Sequence, residues 1–536
     1  MTETSPTWSA PAKRSGDGAL AARPLSRLHA SRITRHASRI TSNSLTSLGT
    51  KPTDIASLAA FRILFGLLMA AAMIRFLAKG WVWQLYLEPA FHFPYPGFEW
   101  IRPFPDALMH AHFVLLAVLA LGIALGLFYR VCIILFFLGF TYVELLDQTA
   151  YLNHYYLISL LSGLMIFLPA HRAWSVDAWR RSRAGARTFL SAATSDSHYG
   201  MGSSQCARGI RGLLRTGMSA LQPVGEFRLE SVPAWCLNLL RFQVAIVYIF
   251  AGLAKFNADW LFHAQPLRIW LAARSDLPLF GPWLGQVWVA YAASWFGAIF
   301  DTSIVFFLLY RPTRRPAYAL VIFFHVATWL LFNIGMFPWI MIIAATLFFP
   351  PNWPRRWIGK GRGSSVECQG SEGGTHSTLH APRSYALTLL LALYALIQLA
   401  LPIRSYFASQ PPAWTCSSFN CAWRVMIAEK TGYAEFYAHD PATDRRWKLS
   451  LKNYLTPRQE IMMAQDPYLI RALARRLAAD LQKQNCRPIE IKADAFATLN
   501  GRPSQRLIDP EVNLAGPSPE GWIVPLKPVA AEVTRL

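Results

Sequence analysis

From about residue 53 to residue 403, apolar runs of membrane length alternate with short polar breaks. The runs lie at about 55–77, 107–128, 131–149, 153–170, 234–256, 286–310, 316–334, 336–350 and 384–403. A crossing helix needs roughly 20 apolar residues. The fourth and eighth runs are short, and only the turn at Gly335–Pro338 divides the seventh from the eighth. After Ile403 the pattern changes. KLSLKNYL at 448–455 and PIEIKADAF at 488–496 alternate like strands, and 466–484 has helical periodicity started by Asp466-Pro467. The expected fold is a polytopic α-helical membrane protein of about nine transmembrane helices with a C-terminal α+β extramembrane domain. The implied layout is a basic arm at 1–52, a helical bundle at 53–403 and the outer domain at 404–536.

Composition agrees with that pattern. Hydrophobic residues make up 53% of the chain and charged residues 15%, against about 25% charged in soluble domains. The net charge of +22 is not spread as a nucleic-acid-binding stripe. It collects in the N-terminal arm, in the loop at 171–233, and at Arg311–Arg315 and Arg355–Arg362. The positive-inside rule predicts such clusters for cytoplasmic segments. With the basic N-terminus inside, those loops fall inside and the segments at 78–106, 256–285 and 404–536 fall outside. No signal-type apolar core precedes Thr53, so a cleaved secretory signal is not expected. The chain carries no Asn-x-Ser/Thr sequon. That favours a bacterial inner membrane, with the endoplasmic reticulum membrane as the eukaryotic alternative. Seven cysteines are too few for a disulfide framework in a chain of this length. Cys416 and Cys421, close together in the outer domain, either pair or stay free.

Ionisable residues within apolar runs are the natural functional candidates, because burying them in lipid is costly. They are Glu144 and Asp147 on the third run, Asn153 and His154 opening the fourth, Lys255, Asp301 and His325. One reading pairs Glu144, Asp147 and Asp301 with Arg62, Arg75 or Arg241 as structural ion pairs. Arg241, Ala245, Tyr248, Gly252 and Lys255 stand four, three, four and three residues apart, which stacks them on one helix face. Lys255 at the end of that face either snorkels to the outer surface or serves chemistry. His325 is either a helix–helix hydrogen bonder or a site residue. No metal-ligand spacing, P-loop or nucleophile motif is present.

Several stretches resemble the vitamin K-dependent gamma-carboxylase family, including its bacterial members with the related transmembrane domain. They are ASLAAFRILFGLLM at 56–69, LGLFYR at 125–130, LLDQTAYLNHYYL at 145–157, WSVDAW at 174–179, VYIFAGLAKFNADW at 247–260, FFHVATWLLFNIGMFPW at 323–339 and QRLIDPEVNL at 505–514. The resemblance implies conversion of protein-bound glutamate to gamma-carboxyglutamate, coupled to epoxidation of vitamin K hydroquinone, with O2 and CO2 as co-substrates. Its partners would be a glutamate-containing protein or peptide and membrane lipid, with a quinone reductase a candidate. Lys255 matches the family's catalytic base, which must be neutral to deprotonate a phenol of pKa near 10, and desolvation favours a neutral lysine. Asn153 and His154 match the Asn-His pair that positions the lysine and hydroquinone. His325, before GMFPW, would line the same pocket with Tyr248. Two departures stand out. Ala254 occupies a position that is often a second lysine, and no cysteine between 78 and 106 supplies the family's stabilising disulfide. Two other readings remain: a quinol-epoxidising membrane enzyme without protein carboxylation, and a non-catalytic membrane binding or transport protein.

Overall fold

Each of the nine apolar runs carries a helix in the computed structural model, which describes residues 51–183, 231–332, 334–358, 385–485, 488–517 and 521–527. The helices are α1 (Ala56–Ala78), α2 (Asp106–Leu125), α3 (Tyr129–Leu145), α4 (Asn153–Phe167) and α5 (Ala234–Leu253). There follow α6 (Val287–Leu309), α7 (Arg314–Leu331), α8 (Phe337–Ala345) and α9 (Tyr385–Ile403). The basic arm, residues 184–230 of the long loop and the Gly/Ser-rich stretch at 361–382 lie outside the described residues.

Among the described residues, five helices are long and apolar enough to cross a membrane by length and composition: α1, α2, α5, α6 and the run Tyr385–Tyr406 that begins with α9. The other four differ for local reasons. α3 has 17 residues and α4 has 15, or about 25 and 22 Å at 1.5 Å per residue, short of a hydrocarbon core of about 30 Å. α7 opens on Arg314 and Arg315, and α8 has nine residues before a 3-10 turn ending at Phe348.

Two glycines set the helix spacing. A Cβ on Gly66 of α1 would stand 2.5 Å from Ala124 N, and one on Gly252 of α5 would stand 2.6 Å from Thr302 N. Only a residue without a side chain lets those backbones approach so closely. The bundle core is aromatic and aliphatic, with Phe61, Phe65, Phe113, Phe136 and Tyr248 essentially inaccessible. Outward positions such as Leu389, Leu390 and Phe323 are more than 60% exposed, as lipid-facing surface requires.

The outer domain is a four-stranded antiparallel sheet against two helices, α10 (Pro457–Met463) and α11 (Pro467–Asn485). A short ladder joins β1 (Pro52–Asp54) to β2 (Ser231–Pro233) in the bundle. The outer sheet contains β3 (Lys430–Asp440), β4 (Arg445–Lys448), β5 (Glu490–Leu499) and β6 (Gln505–Arg506), in the order β4-β3-β5-β6. The helix expected at 466–484 forms within one residue of its limits, and the strand expected at 488–496 forms two to three residues later, at Glu490–Leu499. The strand expected at 448–455 does not. Its first residue, Lys448, ends β4, and Lys452–Tyr454 turn instead. The central strand β3 buries Ala434, Phe436, Ala438 and Asp440 on alternate positions, a pattern whose small residues gave it little contrast.

Cys416 and Cys421 are both free. Burial pushes the Cys416 thiol up to about 12 and the Cys421 thiol up to about 11. Disulfide formation needs a thiolate, so both are chemically quiet where they stand.

Candidate active site

Lys255 lies two residues beyond the end of α5, just before Asn257, which caps the next short helix, Ala258–His263, by accepting from Trp260 N. Its residue is 4% exposed, which removes the snorkelling alternative. The Nζ instead donates to Asp301 Oδ2 on α6 at 2.8 Å and to Ala251 O at 3.1 Å, and it stands 5.2 Å from the Trp260 ring. Asp301 therefore pairs with the lysine and not with an arginine.

The other two acids also depart from the arginine reading. Glu144 accepts from Ser159 Oγ at 2.6 Å. Asp147 accepts from Thr149 N and Oγ1 at 2.8 and 2.7 Å, and from Gln459 Nε2 of α10 at 2.8 Å. The arginines have other work. Arg62 donates to Trp174 O at 2.6 Å, the Arg75 guanidinium lies 4.9 Å from the Trp81 ring, and Arg241 donates to Leu347 O and Phe349 O at 2.7 and 3.1 Å. Leu347 and Phe349 close the α8 segment, where orphan carbonyls and the negative end of the helix dipole attract a cation. The stripe from Arg241 to Lys255 thus serves two places: its first residue caps α8, and its last two turns face a cavity.

That cavity, of about 210 Å³, is lined by Tyr248, Lys255, Asp301 and His325 among mostly apolar residues. Tyr248 OH and His325 Nε2 are 2.8 Å apart. His325 Nδ1 is buried and has no partner among the described residues. A buried ring nitrogen without a partner costs about 1–3 kcal/mol and marks a position where a ligand's polar group would bond.

Asn153 and His154 line a second, larger cavity of about 750 Å³, rimmed by Arg75, Glu144 and Arg458. They open α4 because Leu152 is extended and the helix begins at Asn153. The two cavities share one wall, made by Phe332, Ile334, Phe337, Val425 and Met426. The Phe337 ring lies 6.3 Å from both the His154 and His325 rings. The expected site residues are therefore split, with Tyr248, Lys255 and His325 on one side of Phe337 and Asn153 and His154 on the other.

The outer domain completes both chambers. Val425 and Met426 come from the segment before β3, and Arg458 from the start of α10. α10 has a capping box, with Thr456 and Gln459 satisfying each other's backbone N–H, and the Gln459 bond to Asp147 fixes Arg458 over the larger cavity. Next to Lys255, Asp259 receives Arg502 Nη1 and Nη2, both at 2.7 Å, and Asn500 Nδ2 at 2.9 Å. Burial alone would raise the Asp259 carboxyl, but the Arg502 and Asn500 hydrogen bonds outweigh it and hold it below the ordinary aspartate value. Sequence reasoning missed Arg458, Val425 and Met426. Only the T-x-x-Q capping box near Arg458 was readable, and it signals a helix start without a site.

Comparison with known protein families gives two matches. A family model described as the HTTM domain matches residues 50–190 and 223–353. One described as the lumenal domain of vitamin K-dependent gamma-carboxylase matches residues 383–528. No solved structure matches the chain.

Proposed function

The chain belongs to the gamma-carboxylase family, and from that premise we propose that it carboxylates protein-bound glutamate while epoxidising reduced vitamin K. The observation that carries this reading is the cluster of Lys255, Tyr248 and unpartnered His325 Nδ1 in an apolar chamber, one aromatic ring away from a chamber rimmed by guanidinium groups.

The smaller chamber fits a hydroxylated aromatic ring. Its walls are apolar, and its three polar groups can hold hydroxyls in place. When bound there, reduced vitamin K supplies, through oxygenation by O2, a base strong enough to remove the γ-proton of glutamate so that CO2 can add. The residues do the rest. His325 Nδ1 bonds a ring oxygen, with Tyr248 OH holding the imidazole at Nε2. Lys255 Nζ receives the ring's hydroxyl proton. In the larger chamber Arg75 and Arg458 attract a glutamyl carboxylate, and Asn153 and His154 orient the side chain toward the shared wall. Phe337, Val425 and Met426 keep bulk water from the carbanion, which water would reprotonate.

The proposed topology has nine membrane-embedded helices, with the basic N-terminal arm inside and the 404–536 domain outside, in a bacterial inner membrane. The basic loops support it. The test uses the detergent-purified chain with reduced vitamin K, O2, labelled CO2 and a glutamate-containing peptide. Epoxide together with label in the peptide is expected, and Lys255→Ala should yield neither while still binding the quinol. Epoxide without label would select a quinol-oxygenating enzyme. Binding with neither product would select a carrier.

A further inference from the structure

The Lys255–Asp301 pair raises a chemical difficulty that the lysine alone does not. An ammonium group has no lone pair and accepts no proton. Lys255 Nζ stands 2.8 Å from Asp301 Oδ2, with side chains only 5% and 8% exposed, the geometry of a buried ion pair, and in an ion pair the lysine is an ammonium. A lone neutral amine is therefore not what the chamber presents. Yet Asp301 does not remove the base. It relocates it by one hydrogen bond.

We propose that Asp301 is the terminal proton acceptor of a Lys255–Asp301 relay, and so a positioning residue for the reaction proposed above, on which this inference rests. The Nζ–H bond toward Asp301 Oδ2 breaks first: its proton forms an O–H bond with the carboxylate, and its electron pair stays on Nζ as the lone pair that then takes the ring proton. As the ring hydroxyl O–H bond breaks, a new Nζ–H bond forms and the bonding pair stays on the ring oxygen. The lysine ends as it began, an ammonium. The carboxylate becomes a carboxylic acid, the ring carries the negative charge, and the total charge of the chamber is unchanged. No oxidant or further reactant is needed.

Three features of the chamber support this assignment. Among the described residues that line the chamber, Asp301 is the one carboxylate. The other titratable side chains lining it, Tyr248 and His325, are bonded to each other at 2.8 Å. The relay geometry is also fixed by the backbone. Gly252, three residues before Lys255, lies against Thr302, next to Asp301, so closely that a Cβ would stand 2.3 Å from Thr302 Oγ1. Charge conservation matters in a mostly apolar chamber, because creating a net charge there is costly.

The relay and a lone-lysine base predict opposite results for Asp301→Asn. Removing the carboxylate frees a lone lysine to be neutral, so a lone base would keep its epoxidation rate and begin to work at lower pH. The relay predicts a loss of epoxide formation on the order of 10²-fold or more, with quinol binding retained and partial recovery in Asp301→Glu. A second readout avoids turnover and uses the unaltered chain. In difference infrared spectra, reduced vitamin K1 added under argon should bring up the carbonyl stretch of a protonated carboxylic acid, shifted in D2O and absent from Asp301→Asn. Quinol binding to the unaltered chain without that band would overturn the relay, as would undiminished epoxidation by Asp301→Asn. The band without epoxide from the unaltered chain would retain the relay and reject the proposed reaction.

Discussion

Adding one methyl group at Gly252 tests how closely the chemistry depends on helix spacing. A Cβ there would lie 2.3 Å from Thr302 Oγ1, 2.6 Å from Thr302 N and 2.9 Å from Thr302 Cα. Ordinary contact needs about 3.5–4.0 Å. The hydroxyl can rotate away, but the backbone nitrogen and Cα cannot, so α5 and α6 must part by about 1 Å at this point. Overpacking of this kind costs about 1–3 kcal/mol of stability. The same movement stretches the 2.8 Å bond between Lys255 and Asp301, because each partner is anchored within a turn of the contact. A misplacement of about 1 Å in a reacting constellation lowers turnover by about 10²-fold. Gly252→Ala should therefore lose epoxide formation far beyond what its melting temperature explains. Gly66→Ala is the matched control. It meets Ala124 N at 2.5 Å and Ala120 O at 2.7 Å between α1 and α2, away from the ion pair. Both variants should show comparable thermal destabilisation in detergent, with turnover per folded molecule falling steeply only in Gly252→Ala. Equal losses of turnover in the two variants, or wild-type turnover in Gly252→Ala, would refute the argument.

Three other outcomes follow from the same geometry. Phe337→Ala should join the two chambers and admit water, raising the ratio of epoxide formed to label incorporated; an unchanged ratio would mean that the ring is not the barrier. Arg502→Ala leaves the half-buried Asp259 without its bidentate partner and should cost about 3–5 kcal/mol, measured by chemical denaturation of the purified chain. Because the Asp259 carboxyl is held below its ordinary value, its contribution is fully present above the unfolded value near 3.9 and fades as pH falls through the folded one. A wild-type excess of stability over Asp259→Asn that grew on acidification would contradict this. Arg458→Met should raise the peptide KM while leaving the quinol KM unchanged, and an effect on both would place Arg458 elsewhere in the mechanism.

The bundle was legible because a membrane writes long, continuous patterns. All nine helices occur where apolar runs stood, since a helix in lipid must satisfy its own backbone hydrogen bonds. Their lengths were less legible. The α4 run extends to residue 170 by composition, but the helix ends at Phe167, with Leu168 extended ahead of Pro169. In the outer domain, α11 and β5 carried strong periodicity. β3 did not, because its buried face alternates Ala434, Phe436, Ala438 and Asp440, where two methyl groups and a carboxylate look little different from a surface. The misplaced strand at 448–455 has a related cause. Leu449 N still bonds Phe436 O at 2.9 Å, so the alternating leucines continue the ladder by one residue before the chain turns.

At the site, helix spacing put Tyr248 and Lys255 on one face and the family resemblance added His325, but neither named the acid that meets the lysine. Asp301 is 46 residues away, and its partner was decided by two facts invisible in one dimension. Arg62 and Arg241, nearest in type to natural partners for a buried carboxylate, are occupied by main-chain carbonyls at Trp174, Leu347 and Phe349. Gly252 then lets α6 approach the last turn of α5, just before Lys255. A buried acid must find a cation or lose its charge. Once the arginines cap helix ends and loops, the lysine left at the close contact is the partner that geometry offers. The same contact that neutralises the acid puts a proton acceptor one bond behind the group facing the chamber.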